Sequence, residues 1–205
     1  MGSLADGKWT CGFSLYETQP RNRCVVYVFG VGLSSSFEND LLKRTDCEIY
    51  AYDRKALSMG EGSARLHKRV HFKRYALGRE DTTDSQGVQW RTLQSLMKEN
   101  GHLWIDILRM DIEGGEYQAF DTILKDFDTL PFSQLLIQLH GGVSVVAWDK
   151  FLQWWDSVEA RGVYPWWSEP IVKARVQGGE LPSSSSEYSF LNTRGDTKNV
   201  LIQDN

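Results

Sequence analysis

Apolar runs alternate with amphipathic stretches along most of this chain of 205 residues. Short runs that are apolar throughout and end at glycine or at a charge are typical of strands buried in a parallel sheet. The predicted strands are residues 24–32, 47–53, 70–77, 104–111 and 133–140, followed by a terminal pair at 164–170 and 187–193. Apolar positions three and four residues apart predict helices at residues 34–45, 63–69, 91–101, 116–127 and 147–162.

The order of these elements predicts the architecture. Strands that alternate with helices form a parallel sheet with helices on both faces. Neither an internal repeat nor a domain boundary interrupts the pattern. We therefore expect an N-terminal cap segment at 1–23, one domain at 24–193 and a C-terminal tail at 194–205. The spacing of Ser35 and Glu38 predicts a capping box at the start of the first long helix.

Composition and charge narrow the classes of partner. Apolar residues make up 41% of the chain and charged residues 24%, which is ordinary for a globular protein. The net charge of −4 argues against nucleic acid, and we interpret the most basic stretch, 64–74, as a solvated strand edge. No apolar run approaches the roughly 20 residues that span a bilayer, so we expect no membrane contact by this chain itself. Residues 1–3 resemble an expression scar, so a targeting or anchor segment would lie outside the sequence.

Three cysteines occur, and their spacing matches no zinc motif. Cys47 precedes a predicted strand and is expected to be a small core residue. Cys11 and Cys24 flank a polar segment that a disulfide between them would close, and such a bond would indicate an oxidising compartment. The sequence leaves this pairing open.

Glycines follow the first predicted strand in the stretch "FGVGLSS". Parallel sheets bind ligands at the carboxyl ends of their strands, and Gly30 and Gly32 allow a ligand to approach the backbone. Asp53 ends the second strand, where a carboxylate can accept hydrogen bonds from ribose hydroxyls. Ser35 occupies the position where a dinucleotide fingerprint has glycine. This pattern favours a nucleoside ligand without a pyrophosphate, such as S-adenosylmethionine, over a tight turn without a ligand.

Acidic residues follow the fourth predicted strand. Asp111 and Glu113 are two residues apart, which predicts that they face the same side. Glu116 falls in the first turn of the next helix, where the helix dipole favours a negative charge. His140 ends the fifth strand with Gln138 on the same face, and imidazole suits a general base at neutral pH.

The stretch "TLQSLMKENGHLWIDILRMDIEGGEYQAF" (92–120) resembles the FkbM-type methyltransferases, whose signature reads T-L-D-S-L … D-(L/F)-L-K-(I/M)-D-(V/I)-E-G-x-E. The upstream part, with its Trp-x-Cys, second cysteine, Y-x-F-G-x-G strand and Phe-Glu pair, is similar to a related branch of eukaryotic methyltransferase-like proteins. The resemblance covers about residues 9–192, and "MDIEGGE" is its most specific element. Three positions depart from the pattern: Val28, Gln94 and Arg109. Because an acidic residue is usual at the first of them, the details of cofactor binding stay open.

The resemblance implies a class I methyltransferase that uses S-adenosylmethionine. The fold it implies is α/β: a Rossmann-like, doubly wound, mostly parallel seven-stranded sheet with helices on both faces and an antiparallel terminal strand. The expected cofactor contacts are Gly30, Gly32, Leu33, Ser34, Asp53, Arg54, Ala76, Leu77 and Asp111. The expected catalytic residues are His140, Glu113 and Asp111, with His140 or Glu113 taking a proton from the acceptor. The expected substrate contacts are Glu116, Gln138, Trp148, Trp166 and Trp167. A metal held by Asp111, Glu113 and His140 is conceivable but not expected.

Three functions are open, and the first two differ in the acceptor. The resemblance favours O-methylation of a sugar or small-molecule hydroxyl, with the cluster Trp148, Trp154, Trp155, Trp166 and Trp167 as a stacking platform. The plain alternative is that these tryptophans pack a helix and a strand on the sheet. A protein or peptide N-methyltransferase of the secretory pathway is the second function. It would act in the endoplasmic reticulum or Golgi lumen if the parent protein carries an anchor, and the enzyme would otherwise be cytoplasmic. A non-catalytic module that binds the cofactor is the third.

Overall fold

The computed structural model describes residues 8–19, 24–32, 34–60, 68–140, 147–171, 185–195 and 201. Its strands are β1 Val25–Phe29, β2 Glu48–Tyr52, β3 Val70–Lys73, β4 Tyr75–Leu77, β5 Thr82–Thr83, β6 Gln89–Arg91, β7 Ile105–Met110, β8 Phe132–His140, β9 Val163–Ile171 and β10 Ser185–Asn192. Its helices are α1 Phe13–Glu17, α2 Ser36–Arg44, α3 Leu93–Asn100, α4 Glu116–Asp126 and α5 Trp148–Glu159. None of these helices is long and apolar enough to cross a membrane.

Seven strands form the main sheet in the order β3-β2-β1-β7-β8-β10-β9. The first five run parallel to one another. β10 is antiparallel to both of its neighbours, β8 and β9. The expected α/β fold with a mostly parallel seven-stranded sheet is therefore confirmed. Strand order reverses between β1 and β7, which is where sheets of this kind bind ligands.

Two apolar clusters cover the two faces of the sheet. Alternate residues of β1 illustrate the division, since Tyr27 and Phe29 join one cluster and Val26 and Val28 join the other. The first cluster packs α3, α4 and α5 against the sheet, and the second packs α1 and α2. Helices therefore cover both faces of the sheet as expected, and each is held by its apolar stripe.

The stretch predicted as one strand at 70–77 is divided. β3 pairs with β2 in the main sheet, whereas β4 pairs with β6 in a separate sheet of order β4-β6-β5. Residues 78–87 are mostly polar, which favours a loop, but they contribute β5. Asp84 stabilises the turn between β5 and β6, since its carboxylate accepts hydrogen bonds from the main-chain N–H of Val88 and the indole N–H of Trp90. This polar segment is therefore part of a β-hairpin.

The structure near the N-terminus differs from the local sequence predictions in two places. Helix α1 lies in the segment interpreted as a polar loop, because Phe13 and Tyr16 are buried on one side of it. The predicted capping box is absent, since Ser35 makes no side-chain capping hydrogen bond and Glu38 pairs with a strand residue instead. Most of the predicted helix 63–69 lies outside the described residues.

The disulfide joins Cys24 to Cys47, so the proposed pairing of Cys11 with Cys24 is wrong. Val25 and Glu48 are partners at the start of β1 and β2, which places the two preceding cysteines side by side with Cα atoms 4.5 Å apart. Cys11 is free, and its main chain pairs with the Gln134 side chain on β8. Cys47 is buried as expected, but as half of the bridge.

Residues 8–11 lie across β8 and β10. Lys8 forms an ion pair with Glu187, and the hydroxyl of Ser189 donates a hydrogen bond to the main-chain oxygen of Trp9. Burial raises the pKa of the Glu187 carboxyl, and Lys8 opposes this rise. The segment therefore covers this part of the sheet, while the division of the chain into cap, domain and tail stays a prediction.

Candidate functional site

A cleft of about 720 Å³ opens at the carboxyl ends of β1, β2 and β7. Seven of the expected cofactor contacts line it: Gly30, Gly32, Asp53, Arg54, Ala76, Leu77 and Asp111. Ser34 is not one of the lining residues, and Leu33 lies outside the described residues. The expected catalytic residue Glu113 also lines the cleft. The separated segments of the sequence that were expected to bind one ligand therefore do meet.

Glycine is needed at the two positions after β1 for different structural reasons. A Cβ atom on Gly30 would lie 1.8 Å from the main-chain oxygen of Asp111, so glycine is needed for the contact between β1 and β7. Gly32 has φ of +65°, and a Cβ atom there would meet nothing within 4 Å. Gly32 therefore leaves open space at the cleft, as a ligand that approaches the main chain requires.

Asp53 connects the two loops at the top of the cleft. Its Oδ2 accepts a hydrogen bond from the main-chain N–H of Val31 at 3.0 Å. Its Oδ1 accepts from the N–H groups of Lys55 at 2.6 Å and Ala56 at 2.8 Å. A carboxylate offers about four acceptor positions, so Asp53 retains capacity for a ligand hydroxyl while it holds both loops.

Aromatic side chains form another wall of the cleft. Tyr52 stacks on Phe29 with ring centroids 5.1 Å apart, and Tyr75 and Trp90 line the cleft further along. A flat apolar wall is suited to a planar ring. Sequence reasoning missed Trp90, because it lies between the elements predicted at 70–77 and 91–101. Its indole N–H is bonded to the turn residue Asp84, which fixes the ring.

Glu113 faces the basic residues that follow β2. It forms an ion pair with Lys55 and lies 3.7 Å from Arg54, and its side chain is 60% exposed. The Lys55 hydrogen bond holds the pKa of this carboxyl below its usual range. β7 ends at Met110 and Glu113 has φ of +57°, so the strand alternation that would place Glu113 beside Asp111 stops before it.

His140 has carboxylate neighbours from two other elements. Its Nδ1 lies 3.1 Å from Oε1 of Glu116, and its Nε2 lies 4.0 Å from Oδ1 of Asp111. The side-chain amide nitrogen of Gln138 is 3.1 Å from the same Nε2. Asp111 also lines the cleft, so it connects the cleft to this group. We call Asp111, Glu116 and His140 the acidic–histidine cluster.

Glu116 is fully buried at the start of α4. Its Oε1 accepts a hydrogen bond from the main-chain N–H of Ile112 at 3.0 Å in addition to the contact with His140. Glu116 therefore holds the turn after β7 and also contacts the histidine. That second contact was missed, because it joins residues 24 positions apart.

A buried ion pair supports the glycine turn from below. Arg109 Nη1 donates to Oε1 of Glu38 at 3.1 Å and to the main-chain oxygen of Gly30 at 3.4 Å. Both side chains are almost entirely buried. Arg109 was noted in the sequence only as a departure from a pattern, and the pair explains why α2 carries a buried Glu38. Val28 is buried against this same face and adds no polar group to the cleft.

The five clustered tryptophans do not form one platform, and none lines the cleft formed by the described residues. Trp154 is buried, and Trp155 packs on Tyr188 between α5 and β10. Trp148 is 71% exposed and stacks on Phe151. Trp166 and Trp167 lie on the edge strand β9, where Trp167 packs on Trp9. The plain alternative, helix and strand packing, describes Trp154 and Trp155.

A family model described as a methyltransferase domain matches residues 1–170. The chain belongs to this family of methyltransferase domains. The assignment confirms the predicted methyltransferase family, and the strand order confirms the predicted Rossmann-like sheet. Gly30 and Asp111 directly follow β1 and β7, at the point where the strand order reverses.

Similar proteins include the probable methyltransferase-like protein 24 of Homo sapiens, which is 22% identical over 135 residues, or 62% of this chain and 36% of the relative. The protein of the same name from Rattus norvegicus is 22% identical over 133 residues, with the same shares. The methyltransferase domain thus spans about a third of the length of these curated relatives. Among solved structures, M. capricolum TrmK in complex with S-adenosylhomocysteine aligns with a TM-score of 0.47 and 12% identity, covering 92% of this chain and 70% of that one.

The residues of the cleft fit the donor. S-adenosylmethionine combines a planar base, a ribose and an amino-acid group, and the cleft offers an aromatic wall, Asp53 and the open main chain at Gly32. Asp111 lines the cleft and is also a member of the acidic–histidine cluster. A carboxylate there can accept hydrogen bonds from an amino group.

Proposed function

We propose that this domain transfers the methyl group of S-adenosylmethionine to a hydroxyl group of a sugar or another small molecule. The observation that supports this most directly is the contact between the cleft and the acidic–histidine cluster. Asp111 belongs to both, and its carboxylate lies 4.0 Å from the ring of His140. A donor site and a group able to take up a proton therefore lie next to each other, as an in-line transfer requires.

In this proposal the cleft residues hold the donor in a fixed order. Tyr52, Tyr75 and Trp90 face the base, Asp53 accepts from the ribose, and Asp111 contacts the amino-acid end. The donor, when bound, supplies an electrophilic methyl group on a sulfonium. The protein then contributes mainly position and the exclusion of water, because the methyl group is already reactive.

At the acceptor end, His140 is the group that we assign to take up the hydroxyl proton. Glu116 fixes the ring through Nδ1 and leaves Nε2 on the side of Asp111. Glu113 is paired with Lys55, so we expect it to shape the entrance rather than remove the proton. Gln138 stays a candidate acceptor contact through its position beside His140.

A second acceptor class has one observation in its favour. The Cys24–Cys47 disulfide is typical of proteins from an oxidising compartment. It supports an enzyme of the secretory pathway that methylates a nitrogen of a protein or peptide. The donor site is the same in both functions, and only the acceptor differs. A module that binds the donor without turnover explains less, because it leaves His140 and Glu116 without a task.

Calorimetric titration of S-adenosylhomocysteine tests the donor site. We expect micromolar binding to the parent chain, at least tenfold weaker binding to Asp53→Ala, which corresponds to about 1.4 kcal/mol, and unchanged binding to His140→Gln. Transfer of a radiolabelled methyl group to glycan and peptide arrays then separates the acceptors, and His140→Gln should lose this transfer. No binding of S-adenosylhomocysteine to the parent would contradict the proposal, and labelled peptides with unlabelled glycans would favour the second acceptor class.

A further inference from the structure

Glu116 is a buried carboxylate, and only one of its two oxygens has hydrogen-bond partners among the described residues. It is 0% exposed, and its Oε1 contacts the main-chain N–H of Ile112 and the ring of His140. No described residue offers a hydrogen bond to its other oxygen, Oε2. A carboxylate removed from water costs several kcal/mol unless its oxygens find partners. The unpartnered oxygen therefore calls for a further positive group next to Glu116.

The acidic–histidine cluster has the spacing for that group to be a metal ion. One ligand atom from each of Asp111, Glu116 and His140 lies within 4.8 Å of the other two. Ligand atoms that share one first-row ion at about 2.0–2.2 Å are separated by up to about 4.3 Å. Rotamer adjustments of about half an ångström would bring the three atoms into one coordination sphere.

Charge and exposure agree with an ion at this place. Two carboxylates balance a divalent cation, and a neutral imidazole adds a nitrogen ligand without further charge. Glu116 and His140 are mostly buried, whereas the Asp111 side chain is 29% exposed toward the cleft. An ion bound here would keep open positions on the side where the acceptor enters. Two carboxylates with one imidazole suit Mn²⁺, since carboxylate favours Mg²⁺ and Mn²⁺ and imidazole favours the later metals.

We propose that Asp111, Glu116 and His140 bind one divalent cation of the Mn²⁺ type at the acceptor end of the cleft. The sequence suggested a different set with Glu113, but Glu113 is occupied by Lys55 and Arg54. Glu116 takes the place of Glu113 because α4 begins directly after the turn that contains Gly114 and Gly115.

The role of the cation rests on the proposed function. An acceptor hydroxyl bound to the cation would lose its proton more readily. His140 is a ligand in this metal-bound form, so its assigned uptake of the hydroxyl proton applies to the metal-free form. The acceptor oxygen gives its proton to bulk water and forms the new oxygen–carbon bond. The electron pair of the broken sulfur–carbon bond stays on the sulfur, which leaves as a neutral thioether.

Titration of Mn²⁺ into the metal-free full chain tests the site, with free Mn²⁺ read by electron paramagnetic resonance. We expect one Mn²⁺ ion to bind per chain, with a dissociation constant below about 100 µM. Glu116→Gln keeps the size and one acceptor oxygen and should weaken binding at least tenfold. Asp111→Asn should do the same from the exposed side of the cluster. Glu113→Gln is the matched control at the same strand end, and its affinity should stay within twofold of the parent.

A thermal readout makes the result independent of activity. Mn²⁺ should raise the melting temperature of the parent and of Glu113→Gln but not that of Glu116→Gln, because only a folded site binds the ion. No binding of Mn²⁺ to the parent, or equal binding to Glu116→Gln, would overturn the proposal. Retained binding of S-adenosylhomocysteine in that case would leave the proposed function standing. If the parent chain binds Mn²⁺ as expected but does not bind S-adenosylhomocysteine, the metal site stands and the proposed function is contradicted.

Discussion

Gly30 and Asp111 touch through their main chains, since a Cβ atom on Gly30 would lie 1.8 Å from the Asp111 oxygen. The overlap cannot be relieved by a side chain, and φ of +83° at Gly30 adds strain. We expect Gly30→Ala to lower the free energy of unfolding by about 4 kcal/mol, from overpacking and backbone strain together. Urea denaturation measures this, and a loss below 1 kcal/mol would show that β1 and β7 can move apart.

Gly32→Ala should behave differently, because a Cβ atom there meets nothing within 4 Å. Only its positive φ is strained, at a cost of about 1–2 kcal/mol, but the methyl group would occupy the cleft. Gly87→Ala is the control, since Gly87 has φ of +78°, equally open surroundings and no place in the cleft lining. Both variants should lose similar stability, and only Gly32→Ala should bind S-adenosylhomocysteine more weakly by calorimetry.

The buried pair of Arg109 and Glu38 predicts a coupled effect on stability. Removal of one partner leaves the other charge buried, so Arg109→Met or Glu38→Gln should each lower the free energy of unfolding by about 3 kcal/mol. The double variant should lose clearly less than the sum of the two, because no charge is left unpaired. A double-mutant cycle by urea denaturation measures this, and additive losses would mean that the two side chains act independently.

Asp106 predicts a specific dependence of stability on pH. Burial raises the pKa of this carboxyl to about 7, although the main-chain N–H of Val25 donates to its Oδ2. Because the folded chain holds the proton more tightly, the contribution of this group is complete below its ordinary pKa near 4 and is lost as the pH rises through 7. Asp106→Asn has no such proton to lose. Relative to the parent, it should gain on the order of 3 kcal/mol in stability between pH 4 and pH 8.

Urea denaturation across that pH range checks the difference between parent and variant, and a constant difference would contradict it. Asp84→Asn serves as a control of opposite sign. The Trp90 hydrogen bond holds the pKa of Asp84 below its usual range, so its contribution is present at neutral pH and lost on acidification. The stability that Asp84→Asn loses relative to the parent should therefore be smaller at low pH than at high pH.

The Cys24–Cys47 bridge closes a separation of 23 residues. Loop-closure entropy assigns a bridge of this span about 3 kcal/mol. A reductant should lower the stability of the parent chain by about that amount and leave the double variant Cys24→Ala/Cys47→Ala unchanged. Cys11→Ser is the control and should respond to the reductant as the parent does. The same response in the double variant would show that the reductant acts elsewhere.

The fold follows from features that the sequence displays locally. The apolar runs that became β1, β2, β7 and β8 are long and end at glycine or acid, and such runs have few alternatives to a buried parallel strand. The meeting of Gly30, Asp53 and Asp111 at one cleft was predictable for the same reason, since each follows one of these strands. Strand ends come together by topology, so residues distant in sequence could be assigned to one place.

The rest depended on pairings that local patterns do not contain. Glu113 and Glu116 are equivalent in sequence, but the left-handed conformation at Glu113 directs it to Lys55, while Glu116 reaches His140. The cysteines show the same limit, because Cys24 meets Cys47 through the register of two strands. The division of residues 70–77 between two sheets likewise depends on where Tyr75 finds its partner.

The position of β10 between β8 and β9 has a consequence for synthesis on the ribosome. β9 precedes β10 in the chain, but among the described strands it joins the sheet only through β10. The edge of β8 therefore stays open until residues 185–192 leave the exit tunnel, and β9 has no partner before then. An open strand edge can pair with another chain. The second half of the sheet is thus completed only after residues 185–192 have been synthesised, and the open strand edge exposes the nascent protein to aggregation until then.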